Sequence, residues 1–570
     1  MTATGDQGRA EISDTVPEAF AAGLARLGVR HAFGVSGGAI AFFWSALTDS
    51  DVRVTHFRHE SGAAFAACEA SIAAGAPVVV FVTTGPGLTN VLTGVYAARH
   101  EPAHVILVSA HTDAAMQGRQ PIQETGPLTL PQEGIFTAGP LFDYAAVVDS
   151  PAQLPAIMDT LAEGATRPAG FVAHISLSLS VQRQPAEPTG ARRPAAPRPV
   201  VTEAPRHAVD AYLLLRDRSF VIWVGGGARR DAGSVRRLVR AAGVPVMATP
   251  RGKGVVAETD PSYLGVTGFA GNPSVLSYLD RDRPEHILVL GSGLGDFATG
   301  YLAGYLPTSG FIQVDVDPAV HGKAYPAACT VPVTAEVGAF CDALAELFEA
   351  GPARPGPGAP PWRLDPLPPD QGLIHPARVM DAVQAVFVDA GVPVLAETGN
   401  TLAWAVNRLR LADPSRWRAP SGLVGSMGHF SCGVVGAAIA SAAKAVALVG
   451  DGAMLMNNEV STAVQRDAPA IWVVLNDSCY NMCAQGAGQL GLTRVDCSLP
   501  ETDFAGLARS LGAAGSTVRT ADELVPALTA ALGATGPVVV DVRIDPASPA
   551  PIKGRTAGLL KAGAADGSAR

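Results

Sequence analysis

Residues 450–482 read GDGAMLMNNEVSTAVQRDAPAIWVVLNDSCYNM and carry the pattern that decides the fold. An apolar run at 445–449 enters the glycine-rich turn around Asp451, and a second apolar run at 470–475 leads to Asp477. Continuous apolar runs separated by a helix-length stretch predict two neighbouring parallel strands that are buried on both faces. Because the carboxyl ends of parallel strands meet at one sheet edge, we expect Asp451 and Asp477 to lie close together.

The same alternation recurs along the rest of the 570-residue chain. Short apolar runs such as PVVVFVTT, HVILVSA, FVIWVGGG, HILVLGS and FIQVDVD are separated by longer stretches with a helical spacing of apolar residues. This pattern predicts α/β domains, each built on a doubly wound parallel sheet. Ligands bind such sheets at the carboxyl ends of the strands, so the turns after these runs are the candidate sites.

Two proline-rich stretches divide the chain, because such segments cannot bury enough apolar surface to fold alone. We expect linkers at 182–207 and 351–373. The remaining blocks have the usual size of single domains. The predicted domains and the C-terminal tail are 1–181, 208–350, 374–555 and 556–570.

Composition excludes several classes of function. The formal net charge is −9, from 42 basic and 51 acidic residues without a basic tract, so we expect no nucleic-acid partner. Seven dispersed cysteines do not resemble a disulfide framework, and no apolar signal segment opens the sequence, so we expect a cytoplasmic protein. Residues 430–450 approach membrane-span length, but Lys444 and several glycines favour a core helix that runs into a strand.

The two strand-end turns also predict a ligand. Carboxylate oxygens of Asp451 and Asp477 form a hard oxygen site suited to Mg²⁺, which usually keeps substrate phosphates among its ligands. The small residues Gly450 and Gly452 let a phosphate approach the backbone at the start of the following helix. The alternative is two ordinary turns built from the residues that turns prefer.

The segment 450–482 resembles the diphosphate-binding motif of thiamine diphosphate (ThDP) enzymes, in which GDG is followed by a pair of asparagines. Asp477 stands in place of the second asparagine, which keeps an oxygen ligand and adds a negative charge. The resemblance implies ThDP and Mg²⁺ as cofactors, with the metal held by Asp451, Asp477 and Cys479. The implied cofactor-binding residues of this segment are Gly450, Asp451, Gly452, Ala453, Asp477, Tyr480 and Asn481.

A second element of the same family lies far upstream. Residues 58–63, RHESGA, resemble the family segment in which a glutamate contacts the aminopyrimidine ring of ThDP. The resemblance implies that Glu60 is the catalytic acid, and general acid–base help of this kind is worth roughly 10²–10⁴-fold in rate. Without its neighbours, Glu60 would be interpreted as an exposed charge at a helix start.

Further segments follow the order of the family. FGVSGG at 33–38 and TTGPGLTN at 83–90 resemble two strand-end turns of the pyrimidine-binding domain. PIQET at 121–125 resembles the FQE segment of acetolactate synthase and pyruvate oxidase relatives. The resemblance implies cofactor contacts by Gly37, Thr84, Pro86 and Asn90, and a catalytic role for Gln123.

Two segments before GDG complete the implied site. ETGNT at 397–401 follows a strand predicted at 392–396 and implies diphosphate donors at Thr398, Gly399 and Asn400. GSMG, which begins at Gly425, resembles the turn in which a methionine holds ThDP bent while the backbone grips the pyrimidine. Gly425 and Met427 are therefore the implied contacts there.

His429 follows this turn at a position where the acetolactate synthase type usually has an aromatic residue. We treat His429 as a candidate catalytic residue that faces substrate. A buried histidine with satisfied hydrogen bonds is the alternative interpretation.

The middle domain carries a weaker pattern. VGGG, PRGKG, LGVTG and VDVDP, at 224–227, 250–254, 264–268 and 314–318, resemble the central domain of the same family. That domain binds FAD in some members, another nucleotide in others and nothing in many, and a glycine-rich strand end does not decide between them. FAD therefore stays open as a third cofactor.

The resemblance implies a reaction that begins with decarboxylation of a 2-oxo acid. Gln123, without a histidine pair nearby, favours an acetolactate synthase-like carboligase that couples an acyl-anion equivalent from pyruvate or a related 2-oxo acid to a carbonyl acceptor. The departures from the acetolactate synthase pattern at Ser36, Ile122, His429 and Asn481 indicate a specialised acceptor. The alternatives are a 2-oxo acid decarboxylase that releases an aldehyde and a non-catalytic ThDP-binding subunit.

The family also implies an assembly. In its members the glutamate of one subunit meets cofactor held by the diphosphate-binding domain of another subunit. We therefore expect a homodimer or homotetramer with active sites at the dimer interface, acting on small molecules and without a membrane or nucleic-acid partner.

Overall fold

The computed structural model describes residues 14–187, 203–352, 354, 356, 364, 366–367, 372–456, 459–492 and 494–552. The predicted tail at 556–570 and most of both predicted linkers lie outside the described residues. The chain divides into two compact units, and each is considered by itself. The first contains the described residues of 1–198 with 435–442, and the second contains those of 199–434 with 443–570.

The first unit is built on one parallel sheet. Its strands are β1 (His31–Gly34), β2 (Arg53–His56), β3 (Val78–Val82), β4 (His104–His111), β5 (Tyr144–Val148) and β6 (Phe171–Ser178). Its helices are α1 (Val16–Leu27), α2 (Ala41–Thr48), α3 (Glu60–Ala74), α4 (Pro86–Arg99) and α5 (Leu154–Gly164). The strand order is β2-β1-β3-β4-β6-β5.

Burial explains why these residues form central strands. Every residue of β3, β4 and β6 is buried, as expected for strands covered by helices on both faces. Helices α3 and α4 approach closely at Gly94, where an added Cβ would lie only 2.5 Å from the Cβ of Ala64. This close approach packs the middle of α4 against the beginning of α3.

The second unit contains two further six-stranded parallel sheets. The strands of the second sheet are β7 (Phe220–Val224), β8 (Val246–Ala248), β9 (Tyr263–Val266), β10 (His286–Leu290), β11 (Gly310–Asp315) and β12 (Thr330–Thr334). Its helices are α6 (Ala204–Leu215), α7 (Ala232–Ala242), α8 (Pro273–Arg281), α9 (Asp296–Thr299) and α10 (Val337–Ala350). The strand order is β12-β11-β10-β7-β8-β9.

The third sheet carries the segment 450–482. Its strands are β13 (Val394–Ala396), β14 (Trp417–Arg418), β15 (Ala445–Gly450), β16 (Ala470–Asn476), β17 (Ala514–Val518) and β18 (Val538–Arg543). The helices are α11 (Pro376–Val383), α12 (Asn400–Arg408), α13 (His429–Ser441), α14 (Asp451–Met456), α15 (Val460–Gln465), α16 (Asn481–Gln489), α17 (Phe504–Ser510) and α18 (Ala521–Gly533). A π-helical turn (Gln384–Val388) follows α11. The strand order is β14-β13-β15-β16-β18-β17.

A fully buried ion pair joins the second and third sheets inside the second unit. Lys253 Nζ lies 2.8 Å from Glu258 Oε2, and neither side chain is exposed to solvent. The same Nζ donates to the carbonyl oxygens of Val406 at 3.1 Å and Leu409 at 2.8 Å, at the C-terminal end of α12. A cation at this end satisfies the last helical carbonyls and complements the helix dipole.

The three parallel sheets confirm the predicted fold class of doubly wound α/β domains. The strand predicted at 392–396 begins two residues later, at Val394. The stretch 430–450 forms most of α13 and then β15, which confirms a core helix that runs into a strand. None of the helices in the described ranges is both long and apolar enough to cross a bilayer.

Candidate functional site

The carboxyl ends of β15 and β16 meet at one edge of the third sheet. The two strands are parallel neighbours, and Gly450 pairs with Leu475 in their register. Asp451 directly follows one strand, and Asp477 follows the other. The structure thus brings together the two carboxylate-bearing turns that the sequence predicts to be neighbours.

Asp451 is held by backbone donors. Its Oδ1 accepts a hydrogen bond from the N–H of Gly452 at 2.7 Å, and its Oδ2 accepts one from the N–H of Cys479 at 3.2 Å. The side chain is buried, and this burial raises the pKa of the carboxyl above its ordinary value. The second hydrogen bond ties the GDG turn to the segment that follows β16.

Asp477 is the more strongly perturbed carboxyl. Burial raises its pKa to about 6, the charge of Asp451 adds to the shift, and a hydrogen bond from Asn481 opposes it. Asn481 Nδ2 donates to Asp477 Oδ2 at 2.6 Å and to the carbonyl of Pro546 at 2.9 Å. Among the described residues, no ion pair neutralises either aspartate. Two adjacent carboxylates without a basic partner suit a divalent cation.

Cys479 completes the candidate metal ligands. Burial raises the pKa of its thiol to about 11, and the charge of Asp477 acts in the same direction. The thiol is therefore protonated at neutral pH, and Mg²⁺ prefers oxygen ligands. The candidate ligand atom of Cys479 is its main-chain carbonyl oxygen rather than its sulfur.

Met427, Gly452 and Tyr480 also come together in the second unit. A Cβ added at Gly452 would lie 2.4 Å from Cε1 of the Tyr480 ring and 3.4 Å from Cε of Met427. Glycine is therefore required in the GDG turn by the close approach of these side chains. Gly425 and Gly428 flank Met427 with φ of +54° and +86°, a backbone region that favours glycine.

The loop between β13 and α12 has unused polar atoms. Thr398 Oγ1 and Asn400 Oδ1 are buried and have no hydrogen-bond partner among the described residues. Gly399 lies between them at φ +121°, and nothing lies within 4 Å of the position that its Cβ would take. Orphaned buried polar atoms beside open space are the feature expected of a loop that receives a polar ligand. The loop therefore fits the diphosphate-binding role that the sequence resemblance implies.

Three other predicted site residues of the second unit lie at or near the starts of helices. His429 is the first residue of α13, is only 2% exposed, and its ring lies 4.6 Å from that of Phe430. Ala453 is a buried residue of α14, directly after the GDG turn. Asn481 begins α16, and its side chain donates to Asp477.

In the first unit, Glu60 is the first residue of α3. The side chain is only 8% exposed, and its Oε2 accepts a hydrogen bond from Nδ2 of Asn90 on α4 at 3.1 Å. A Cβ added at Gly87 would lie 3.7 Å from Oε1, so the turn of α4 passes close to the carboxyl. The interpretation of Glu60 as an exposed charge at a helix start is therefore wrong.

Thr84 and Gln123 lie together beside the GPG turn. Thr84 Oγ1 donates to Gln123 Oε1 at 3.3 Å, and the N–H of Gly85 donates to Oγ1 of Thr125 at 2.5 Å. Gln123 has φ +57°, a conformation that costs a non-glycine residue free energy and that clusters at functional sites. Pro86 is the first residue of α4, two residues after Thr84.

Gly37 lies in the other strand-end turn of the first unit. An added Cβ would lie 2.5 Å from Oγ1 of Thr83, so a larger residue is excluded unless that side chain moves. Thr83 directly precedes Thr84, so the two turns of the predicted pyrimidine-binding site are in contact. The structure thus groups Gly37, Thr84, Pro86, Asn90, Gln123 and Glu60 in one part of the first unit.

Sequence reasoning missed two residues that shape these turns. Glu397 has no role in the sequence prediction, yet it is fully buried and accepts three backbone hydrogen bonds. His174, on β6, is also fully buried, and its Nδ1 donates to the carbonyl of Ile135 in the long segment that carries Gln123. A charged residue directly after an apolar strand was the available signal for Glu397.

Three family models match the chain in sequence order. The N-terminal TPP binding domain of thiamine pyrophosphate enzymes matches residues 14–129, the central domain matches 210–344, and the C-terminal TPP binding domain matches 397–542. The chain belongs to the thiamine pyrophosphate enzyme family. Within this family it is an acetolactate synthase-like, ThDP-dependent enzyme.

Relatives support this placement over nearly the whole chain. The acetolactate synthase large subunit of Parasynechococcus marenigrum is 29% identical over 552 residues, which cover 91% of this chain and 86% of that protein. The large subunit of acetolactate synthase isozyme 2 of Escherichia coli K12 is 27% identical over 546 residues, covering 91% and 93%. The ThDP enzyme pattern therefore extends beyond the motifs to all three domains.

A solved structure shares the fold. The thiamine diphosphate-dependent 4-hydroxybenzoylformate decarboxylase of Rhodococcus jostii RHA1 superposes with a TM-score of 0.79 at 20% identity, covering 93% of this chain and 99% of that one. This likeness confirms the architecture of a ThDP enzyme.

The glycine-rich loops of the central domain are packed on each other. The N–H of Gly225 donates to the carbonyl of Leu290, and that of Gly227 donates to the carbonyl of Gly291, both at 2.9 Å. These two N–H groups are already used in hydrogen bonds to backbone carbonyls at the edge of the second sheet. They offer no hydrogen bond to the phosphate of a nucleotide or of FAD.

Proposed function

We propose that this ThDP-dependent enzyme is a carboligase. It decarboxylates pyruvate or a related 2-oxo acid and joins the remaining acyl-anion equivalent to a carbonyl acceptor. The observation that carries the proposal is the position of Gln123. Its Oε1 accepts a hydrogen bond from Thr84 Oγ1 at 3.3 Å, and its backbone has a strained, positive φ. The segment 112–143 around it contains no histidine, so it supplies no imidazole relay to quench the acyl-anion equivalent with a proton.

The proposed cofactor set is ThDP with Mg²⁺. The metal would be held by the carboxylates of Asp451 and Asp477 and by the carbonyl oxygen of Cys479. The diphosphate would accept hydrogen bonds from the hydroxyl of Thr398, which is buried without a partner among the described residues, and from the amide Nδ2 of Asn400. When bound, ThDP supplies the carbon nucleophile and the electron sink for decarboxylation.

The chain's own residues orient the reaction. Glu60 would hold a proton at Oε1, because Asn90 already donates to Oε2. Met427 would contact the pyrimidine part of the cofactor, with Gly425 and Gly428 allowing the turn around it. Gln123 would donate its amide N–H to the acceptor carbonyl while its Oε1 stays bonded to Thr84.

A 2-oxo acid decarboxylase is the second candidate. His429 favours it, because it directly follows the Gly425–Gly428 turn and an imidazole is a side chain that can donate a proton. Protonation in place of carbonyl coupling would release an aldehyde.

Product analysis separates the candidates. The protein would be incubated with pyruvate, ThDP and Mg²⁺, with and without a panel of aldehyde and ketone acceptors, and the products identified by mass spectrometry. Coupled 2-hydroxyketone products are expected. Free acetaldehyde without a coupled product would establish the decarboxylase. Absence of any turnover across a panel of 2-oxo acids would favour the non-catalytic subunit.

Glu60→Gln is the matched variant for this assay. It keeps the acceptor oxygen for Asn90 and removes the proton, so turnover should fall by roughly 10²–10⁴-fold. ThDP affinity, measured by calorimetry, should change little. Undiminished turnover would contradict the assigned role of Glu60.

We also propose a homodimer or homotetramer. Ile122 is 93% exposed and Leu128 69% exposed in the segment that carries Gln123, and Leu423 is 75% exposed just before the Met427 turn. Large apolar side chains beside site residues are expected where a second copy covers them. Analytical ultracentrifugation should show a dimer or larger, and an active monomer would contradict the proposal.

FAD and the cellular location need separate measurements. An absorption spectrum of the purified protein decides whether the central domain carries flavin. The cytoplasmic location and the lack of nucleic-acid or membrane partners remain predictions from composition, and fractionation of the producing cells tests them.

A further inference from the structure

Glu397 is a buried carboxylate held entirely by backbone donors. It follows β13, is 0% exposed, and its own N–H donates to the carbonyl of Leu448 at 2.9 Å. Its Oε2 accepts hydrogen bonds from the N–H groups of Phe430 at 2.8 Å and Ser431 at 3.1 Å. Its Oε1 accepts one from the N–H of Thr398 at 3.0 Å.

Two of these donors belong to the first turn of α13. The first N–H groups of a helix have no partner within the helix, and the N-terminal end of the helix dipole favours a negative charge. A buried ionised carboxylate is costly unless it is paired or hydrogen-bonded, and Glu397 obtains two donors from this helix start and a third from Thr398. Burial raises the pKa of the Glu397 carboxyl above its ordinary value, while the nearby His429 and the three backbone donors oppose that rise. Glu397 therefore caps α13 from a distant strand.

The helix start fixes the turn that precedes it. Ser431 Oγ donates to the carbonyl of Gly428 at 3.1 Å, and the N–H of Cys432 donates to the same carbonyl at 3.3 Å. Trp472 on β16 donates its indole N–H to the carbonyl of Ser431 at 2.8 Å. The end of the Gly425–Gly428 turn is thus anchored to the residues that Glu397 holds.

The third donor fixes a different segment. Thr398 carries the buried Oγ1 that has no partner among the described residues, and its N–H is bound to Glu397. One carboxylate therefore contacts both the loop proposed to bind the diphosphate and the helix start behind the turn proposed to bind the pyrimidine. These segments are separated by more than two dozen residues in sequence, from Thr398 to Gly425.

We propose that Glu397 is a positioning residue that sets the spacing between the Thr398–Asn400 loop and the Gly425–Gly428 turn, and so matches the site to the diphosphate and pyrimidine ends of ThDP. The identity of the ligand rests on the proposed function. Glu397 itself is 0% exposed and both of its carboxylate oxygens face backbone donors, so we place it behind the ligand-contacting residues. It acts through Thr398 and the helix start.

Two variants test the two halves of this arrangement. Glu397→Gln keeps the length of the side chain but places an NH₂ group against at least one backbone N–H. Glu397→Asp keeps the charge but is one methylene too short to reach both segments. Glu523→Gln is the matched control, because Glu523 caps α18 through the N–H groups of Arg519 at 2.8 Å and Thr520 at 3.2 Å.

The first readout is ThDP binding, measured by calorimetry on the full-length protein with Mg²⁺ present. We expect both Glu397 variants to raise the ThDP dissociation constant by about 10- to 100-fold, as for residues that orient ligand-contacting groups. Glu523→Gln should change it less than twofold. An unchanged constant in folded Glu397 variants would overturn the proposal, as would an equal change in the control.

The second readout is amide hydrogen exchange in the cofactor-free protein. Exchange at Thr398, Phe430 and Ser431 should accelerate together in the Glu397 variants and stay slow in Glu523→Gln. Acceleration at Phe430 and Ser431 alone would reduce Glu397 to a helix cap and overturn the proposal. If the wild-type protein fails to bind ThDP, the proposed function fails, and the exchange data still decide whether Glu397 couples the two segments.

Discussion

Asn90 donates a hydrogen bond from Nδ2 to Oε2 of Glu60 over 3.1 Å and so links the first turns of α4 and α3. The close packing of these helices at Gly94 makes the link possible. Since the bond occupies one carboxyl oxygen, the other remains for a ligand. The pair therefore fixes both the place and the direction of the proposed catalytic acid.

We expect Asn90→Leu to lower kcat by about 10- to 100-fold although it leaves Glu60 in the chain. Without the hydrogen bond from Asn90 the Glu60 carboxyl would be misplaced, and misplacing a reacting group slows a reaction by about this factor. Thr89→Ala is the control, since Thr89 is the preceding residue of α4 and its hydroxyl donates to the carbonyl of Pro86 rather than to Glu60. Steady-state kinetics with saturating ThDP measure the effect. Equal kcat in Asn90→Leu and the wild type would show that the orientation of Glu60 does not depend on this bond.

Gly452→Ala should weaken ThDP binding by more than tenfold. The added Cβ would lie 2.4 Å from the Tyr480 ring, so the ring or the GDG turn must move. Gly486→Ala in α16 meets no atom within 4 Å and should be neutral or slightly stabilising, because alanine favours a helix by up to about 1 kcal/mol. Calorimetric titration compares the two. A normal affinity in Gly452→Ala would mean that Tyr480 does not shape the site.

Asp477→Asn should stabilise the metal-free protein at pH 8. The pKa of Asp477 in the folded chain is raised to about 6, so the folded state favours the protonated form. As pH rises from the ordinary value near 4 through 6, ionisation becomes a penalty for the folded state, which the variant avoids. The gain should be roughly 1–2 kcal/mol at pH 8 and vanish near pH 4. Denaturant unfolding with a chelator measures it, and a pH-independent difference would contradict the assigned cause.

His174 should make the first unit sensitive to acid. Its Nε2 lies 2.8 Å from Ser109 Oγ, and burial lowers its pKa to about 4. An unfolded histidine titrates near 6.5, so the contribution of His174 is complete above pH 6.5 and is lost as pH falls from 6.5 to 4. The free energy of unfolding falls by about 3 kcal/mol once the pH is below both values. In His174→Gln, the fall of the unfolding midpoint between pH 7.5 and pH 5 should be smaller, and an identical fall would exclude this origin.

Much of the fold was predictable, because the apolar pattern along the chain agrees with the parallel sheets that the structure contains. The apolar runs before Asp451 and Asp477 are long and β-branched, and the structure confirms them as parallel neighbours. Their turns follow from the rule that parallel strands end at one edge. The short strand β13 was harder, because only three of its residues pair and its start at Val394 has no strong signal.

Contacts between segments far apart in sequence were not predictable from spacing. Nothing in the sequence indicates that Glu397 reaches Phe430, or that the chain around Gln123 is anchored through His174. Gln123 was found only through its motif, and its left-handed backbone conformation appears first in the structure. Pairing of this kind depends on tertiary packing, which a single sequence does not display.

The buried cation at Lys253 has a practical consequence for protein engineering. Lys253 neutralises the carbonyl end of α12, and Arg229 donates to the carbonyls of Pro414 and Trp417 in the same region. A C-terminal fragment expressed alone would leave these carbonyl acceptors without their donors. It would also expose the apolar surface around them to solvent. Chimeras that exchange catalytic modules between relatives should therefore be cut before residue 204 and carry the middle and last modules as one cassette.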